Sequence, residues 1–175
     1  YEIVDCDWSS DVCSSDLRAL REYDGAPALN PLASNLKMSD MQAAVGVAQL
    51  ARLPELIARR VCLARQYHEA LAGAAVTLPA VPSGRSHVYY RFVVRLSRIR
   101  SASDELSQCI GRLERQGMQC RKPVFRSLHR YLGLEGFSGS EAAEDTALSV
   151  PLYPALADDE AAQICLAMRN EWRRE

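Results

Sequence analysis

Lysine is nearly missing from this chain: of its 21 basic residues only Lys37 and Lys122 are lysines. Chemistry that needs a primary amine, such as imine formation, therefore has two positions to work with. Metal binding has little to build on. The cysteines show no Cys-x-x-Cys pair and no neighbouring pair of histidines, so a zinc site is not expected. No glycine-rich loop of the kind that cradles phosphate occurs. No apolar run is long and proline-free enough to span a bilayer, so no membrane association is expected. The start has no cationic stretch followed by an apolar core, which excludes a signal peptide there. Internal repeats and low-complexity tracts are missing too.

The opening, residues 1–17, does not read like protein. Asp7-Trp8-Ser9-Ser10-Asp11-Val12-Cys13-Ser14-Ser15-Asp16-Leu17 is what a short-read sequencing adapter encodes when translated in frame, and Tyr1-Glu2-Ile3 fits its upstream end. We expect this segment to be an artefact rather than native sequence. It carries Glu2, Asp5, Asp7, Asp11 and Asp16 and no cation, so without it the chain has 21 basic against 17 acidic residues, a net of +4 rather than −1. A modest positive balance suits an anionic substrate or cofactor and does not call for nucleic acid. Four scattered cysteines remain, Cys62, Cys109, Cys120 and Cys165, read as core filler in a reduced, cytoplasmic setting. About 158 residues are enough for one domain with a real core.

What is present is a clear succession of elements. Ser39 and Gln42 form a capping box for a helix, with Asp40 favouring its positive end. Ala43, Ala44, Gly46, Val47 and Ala48 make that helix thin, which predicts burial on more than one side. Pro54 falls where a second helical run begins, with Leu53, Ile57, Ala64, Tyr67 and Leu71 at helical spacing and arginines on the solvated face. Val88–Leu96 alternates as a strand, placing Val88, Tyr90, Phe92, Val94 and Leu96 on its buried side. A helix opens at Ser103-Asp104-Glu105, with Leu106, Cys109 or Ile110, and Leu113 inward, and closes at Gly117. A second strand is expected over Met118–Phe125, a short helix over Glu141–Leu148 and an extended link at Val150–Pro154. A last helix begins at Asp158, its capping residue, with Ala161, Ile164, Cys165, Met168 and Trp172 inward. The order implies an α+β fold, helices on one face of a small antiparallel sheet.

Three blocks, in order, carry a resemblance. Residues 34–60, containing Asn35-Leu36-Lys37-Met38, Ala43-Ala44-Val45-Gly46, Gln49-Leu50 and Arg59-Arg60, come first. Ser86-His87-Val88-Tyr89-Tyr90-Arg91-Phe92-Val93-Val94-Arg95 is second, and Ala147-Leu148-Ser149-Val150-Pro151-Leu152-Tyr153-Pro154-Ala155-Leu156 third. Together they resemble the late part of the DegT–DnrJ–StrS family of pyridoxal-phosphate sugar aminotransferases. The resemblance covers nearly all of residues 18–175. It implies the tail of a large domain at 18–38, long linking helices at 39–73 and the small C-terminal domain of a fold-type-I aminotransferase at 74–175.

The resemblance also implies a function. The family transfers an amino group, usually from glutamate, to a nucleotide-linked keto-sugar, with pyridoxal 5'-phosphate as cofactor. Its members work as homodimers in which the asparagine matching Asn35 reaches the cofactor phosphate of the neighbouring subunit. Lys37 stands where the family has arginine, next to the anionic substrate, and lacks the planar fork that grips an anion through two bonds. His129 matches a histidine at the mouth of the substrate pocket. No catalytic lysine is implied here, because neither lysine lies in the family's lysine motif, so the chain alone is expected to be inactive. Other readings are a non-catalytic regulatory or subunit-contact module of the same fold, or a dehydratase of the same family. A helical nucleic-acid binder lacks any recognition-helix or aromatic RNA-binding pattern.

Overall fold

The computed structural model describes Leu20, residues 37–97 and residues 102–173. The chain divides into two compact units, Tyr1–Arg52 and Leu53–Glu175. Helix α1, Asp40–Ala70, opens within the first. Its start is fixed locally: the Ser39 amide donates to Gln42 Oε1 at 2.9 Å, and the Gln42 amide donates to Ser39 Oγ at 3.3 Å. This is the reciprocal cap expected from sequence. The thin segment behind it is not buried within this chain, where Ala44, Val47 and Ala48 are exposed. The expected break at Pro54 does not occur, and α1 runs through it. Proline in a helix interior forgoes a backbone donor and crowds the preceding turn, at roughly 3 kcal/mol. The burial of Leu63, Ala64 and Tyr67 further along offsets that cost.

The remaining elements lie in the second unit. They are β1 (Val76–Thr77), β2 (Phe92–Leu96), α2 (Ala102–Arg115), α3 (Leu128–Tyr131), α4 (Ser138–Thr146), β3 (Ala147–Val150) and α5 (Asp158–Glu171). The sheet is antiparallel in the order β1-β2-β3, with Val76 opposite Leu96, Phe92 opposite Val150 and Val94 opposite Leu148. Its inner face joins Tyr67 of α1, Leu106 and Leu113 of α2 and Met168 of α5 in one core. The α+β class read from the element order is the one observed.

Two expected elements changed. The strand over Met118–Phe125 is reduced to one bridge, in which Arg121 and Ser149 exchange both backbone bonds at 3.1 and 2.8 Å. Pro123, with no amide hydrogen, cannot extend that ladder. In exchange, Ala147–Val150 pairs as β3 where a helix end and an extended link were expected. Pro151 holds Val150 out of the helical region, and pairing with β2 buries Leu148 and Val150.

β2 also starts later than its alternation suggested. Tyr89 takes a positive φ of 46°, in a turn where its amide donates to His87 Nδ1 at 2.8 Å. That turn flips the phase. Tyr89 becomes buried and Tyr90 is 72% exposed, while Phe92 and Val94 stay inward. Phe92 meets Tyr67 edge-on with ring centroids 5.3 Å apart.

The helix ends follow their chemistry. Gly117, at φ 84°, lets the Met118 amide reach the Leu113 carbonyl at 3.0 Å, closing α2 with Met118 and Leu113 both buried. α5 is capped by Glu160, whose Oε2 accepts the Ala157 amide at 3.0 Å, rather than by Asp158. Asp158 instead pairs with Arg59 at 2.8 Å. Two arginines of α1 thus leave the solvated face assigned to them. Arg59 donates to the Leu156 carbonyl at 2.5 Å, and Arg60 to the carbonyls of Tyr89, Tyr90 and Leu152 at 3.1, 3.0 and 3.3 Å. They tie the turn before β2 and the segment after β3 to one helix.

Candidate functional site

His129 sits in the single turn of α3, inside a loop that joins the Arg121 bridge to α4. The loop is anchored from α4. Glu144 Oε2 accepts the Ser127 amide at 2.9 Å and also the Ser127 hydroxyl. The Ser127 hydroxyl, with help from Arg130, holds the Glu144 carboxyl below its ordinary value. Arg130 Nε stands 3.6 Å from the same oxygen. Ser127 has the extended backbone of a residue preceding a helix, so this contact sets where α3 begins.

His129 is 7% exposed. Its ring stacks on Phe137 with centroids 5.2 Å apart, and Nε2 lies 3.6 Å from Glu141 Oε1, beyond hydrogen-bonding distance. Among the described residues that nitrogen has no hydrogen-bond partner. Around it the loop shows apolar surface, with Val124, Leu128, Tyr131 and Leu132 exposed and Phe125 90% exposed. A cavity of about 300 Å³ opens beside Ser127, Leu128 and Glu144.

Lys37 is exposed and lies just ahead of α1, in the other compact unit. Asn35 lies outside the described residues. Lys122, the remaining lysine, lines a shallow cavity with Arg91 and Arg121. Neither Lys37 nor Lys122 occupies an enclosed pocket with a carboxylate to hold a pyridine nitrogen. The described residues therefore do not by themselves compose a pyridoxal-phosphate site. No group of three potential metal ligands occurs among them either.

Cys109 and Cys120 are buried and are not nucleophiles poised for use. Burial pushes the Cys120 thiol up to about 12 and raises that of Cys109. Sequence reasoning missed Glu144 and Ser127 as the pair that orders the histidine loop. No local pattern links positions 17 residues apart, so only a contact prediction could have found them.

Comparison with known proteins gives concordant results. The model of the DegT/DnrJ/EryC1/StrS aminotransferase family matches residues 12–169, beginning inside the stretch read as adapter. GDP-perosamine synthase of Caulobacter vibrioides is 30% identical over 141 residues, covering 77% of this chain and 37% of that protein. Among solved structures, S. venezuelae DesV, crystallised with a ketimine intermediate, superposes with a TM-score of 0.78 at 26% identity. That likeness covers 95% of this chain and 46% of DesV. A Streptococcus pneumoniae protein in its PLP form superposes with a TM-score of 0.69 at 20% identity, over 77% of this chain and 36% of that one. The chain thus spans less than half the length of the relatives it matches. Among the described residues no helix is long and apolar enough to cross a membrane.

Proposed function

This chain belongs to the DegT/DnrJ/EryC1/StrS aminotransferase family, and from that membership we propose that it forms the C-terminal part of a sugar aminotransferase. The enzyme uses pyridoxal 5'-phosphate to move an amino group, usually glutamate's in this family, onto a nucleotide-linked keto-sugar. The observation that carries this reading is a family match over residues 12–169 in a chain that folds as the small α+β unit behind a long helix. The relatives support the reading: one is a GDP-perosamine synthase, which bears on the substrate class, and another was solved in its PLP form, which bears on the cofactor.

In this reading residues 18–38 end the large domain, α1 links the two domains and residues 74–175 form the small one. The catalytic lysine comes from the rest of the enzyme, since Lys37 and Lys122 are the only two here. Asn35 holds the cofactor phosphate across a homodimer, and Lys37 meets the substrate anion. The exposed apolar side of early α1, with Met41 81% exposed, is consistent with such a subunit contact. His129 takes its place at the substrate in this reading from the family match; its buried Nε2 has no hydrogen-bond partner among the described residues and lies 3.6 Å from Glu141 Oε1. When bound, the cofactor supplies the electron sink, and this chain's residues orient what binds beside it. Among the described residues the four cysteines are free, which suits a reduced cytoplasm.

The test is an amination assay on the whole enzyme with pyridoxal phosphate, glutamate and nucleotide-linked keto-sugars. We expect 2-oxoglutarate and an aminated sugar in equal amounts, and neither from this chain alone. Loss of water from the sugar without amination would show a dehydratase instead. No cofactor uptake by the whole enzyme would leave a non-catalytic module.

A further inference from the structure

One face of α4 is acidic, with Glu141, Glu144 and Asp145 at the i, i+3 and i+4 spacing that sets side chains next to each other on a helix. That face meets the histidine loop. Glu144, its side chain only 8% exposed, accepts both the amide and the hydroxyl of Ser127. Arg130 stands 3.6 Å from Glu144 and 3.9 Å from Asp145. Glu141 Oε1 lies 3.6 Å from His129 Nε2. Ser127, His129 and Arg130 thus each find an acid on the same helix.

The ring is held from other sides as well. Phe137 stacks on it with the planes 25° apart, and the His129 carbonyl accepts the Leu134 amide at 2.9 Å, so side chain and backbone are both pinned. A residue needed only to fill space has no use for this arrangement. Its Nε2 is buried without a hydrogen bond among the described residues, a cost that an apolar side chain would not carry. A carboxylate this near makes Nε2 the favoured seat of the proton on a neutral imidazole. Nδ1 then keeps its lone pair and acts as an acceptor. A ligand group that meets Nδ1 has to bring a hydrogen, as a hydroxyl or an ammonium does and an ionised phosphate does not.

We propose that Glu144 and Glu141 are positioning residues for His129: Glu144 fixes the loop through Ser127, and Glu141 keeps the ring proton on Nε2, so that Nδ1 accepts a hydrogen bond from the substrate. His129's place at the substrate comes from the aminotransferase reading, whereas its coupling to α4 stands on the contacts alone. Each acid acts through the histidine. A misplacement of about 1 Å in such a group costs on the order of a hundredfold in rate.

A double-mutant cycle in the whole enzyme tests the role of Glu144. Glu144→Ala is expected to lower kcat/KM by about tenfold or more. Glu144→Gln, whose amide oxygen still accepts the Ser127 bonds, should recover most of that loss. In a His129→Ala background Glu144→Ala should cost less than about a further twofold, because its route to the substrate is already gone. The full loss repeated in that background means a merely structural role and overturns the proposal. Heteronuclear NMR of the histidine rings in the full chain, in mildly alkaline solution, tests the role of Glu141. His129 should carry its proton on Nε2, and Glu141→Ala should shift it towards Nδ1. A proton on Nδ1 in the unmodified chain, or no response to Glu141→Ala, overturns the proposal as well. Circular dichroism melts confirm that each variant is folded. The two readouts separate the positioning from the function. Amination with additive losses in the cycle would sink the positioning and leave the aminotransferase standing. A ring proton that follows Glu141, in an enzyme that aminates no nucleotide-linked sugar, would keep the coupling to α4 and remove the function.

Discussion

The first half of α1 and the core of the second unit are built from similar apolar residues by different means. From its start to Leu50 the helix carries Met41, Val45, Val47 and Leu50, all exposed, with Leu50 at 65%. What holds that stretch as a helix is local, a reciprocal cap and a run of alanine-rich backbone. From Leu63 onward the same helix buries Leu63, Ala64 and Tyr67 completely. There the stabilisation is tertiary, from packing against Phe92, Leu113 and Met168 in a common core. Helical structure is thus no guide to burial. One half keeps its apolar side for another surface, and the other half has already found one.

The strongest way to break this contrast is a pair of truncations. Phe92→Ala should cost about 3–5 kcal/mol, because it opens a cavity between Tyr67, Tyr89 and the sheet. Leu50→Ala should stay within about 0.5 kcal/mol. Urea unfolding of both would show it, and a comparable loss in Leu50→Ala would mean the early helix is packed after all. Next in size is Arg60→Ala, expected to cost about 2–3 kcal/mol by leaving the carbonyls of Tyr89, Tyr90 and Leu152 without their shared donor. Arg60→Lys should recover little of that, since one ammonium cannot reproduce the fork. A full rescue by lysine would show that charge, not geometry, ties these segments to α1.

The smallest effect is with pH. Burial beside Phe92 lowers the His68 pKa from its ordinary 6.5, and Glu144 is held below its ordinary 4.5. Both groups bind protons more readily when unfolded, so both favour the folded state less as acid is added. The His68 contribution is complete above about pH 6.5 and fades below it; that of Glu144 is complete above about 4.5 and fades below that. Melting temperature measured from pH 7 to 3 should therefore fall in two stages, and Ser127→Ala should flatten the lower one. A melting temperature that stays level through acid would remove the Glu144 anchor from the account of the loop.

Much of this molecule was legible from residue order. The capping box at Ser39 and Gln42, the inward stripes of α2 and α5, and the glycine stop at Gly117 all depend on neighbours within a turn or two. The α+β class followed from their succession. The site was less legible. Lys37 and His129 were reached through family blocks, and they lie in separate units. Asn35 lies outside the described residues. The basic cavity was not read from the sequence, since Arg91 meets Arg121 and Lys122 only because β2 and the bridge bring distant segments together.

By itself, the sequence determined the inward faces of α2 and α5, the cap at Ser39, the stop at Gly117 and the family blocks, because each is written in residues a few positions apart. Only the tertiary structure decided that Tyr89 turns inward and Tyr90 outward, that α1 runs through Pro54, and that Arg59 and Arg60 bind carbonyls rather than water. In those cases a local preference was outweighed by burial or by a bond to a distant backbone group, and such a partner is set by the fold rather than by the neighbouring letters.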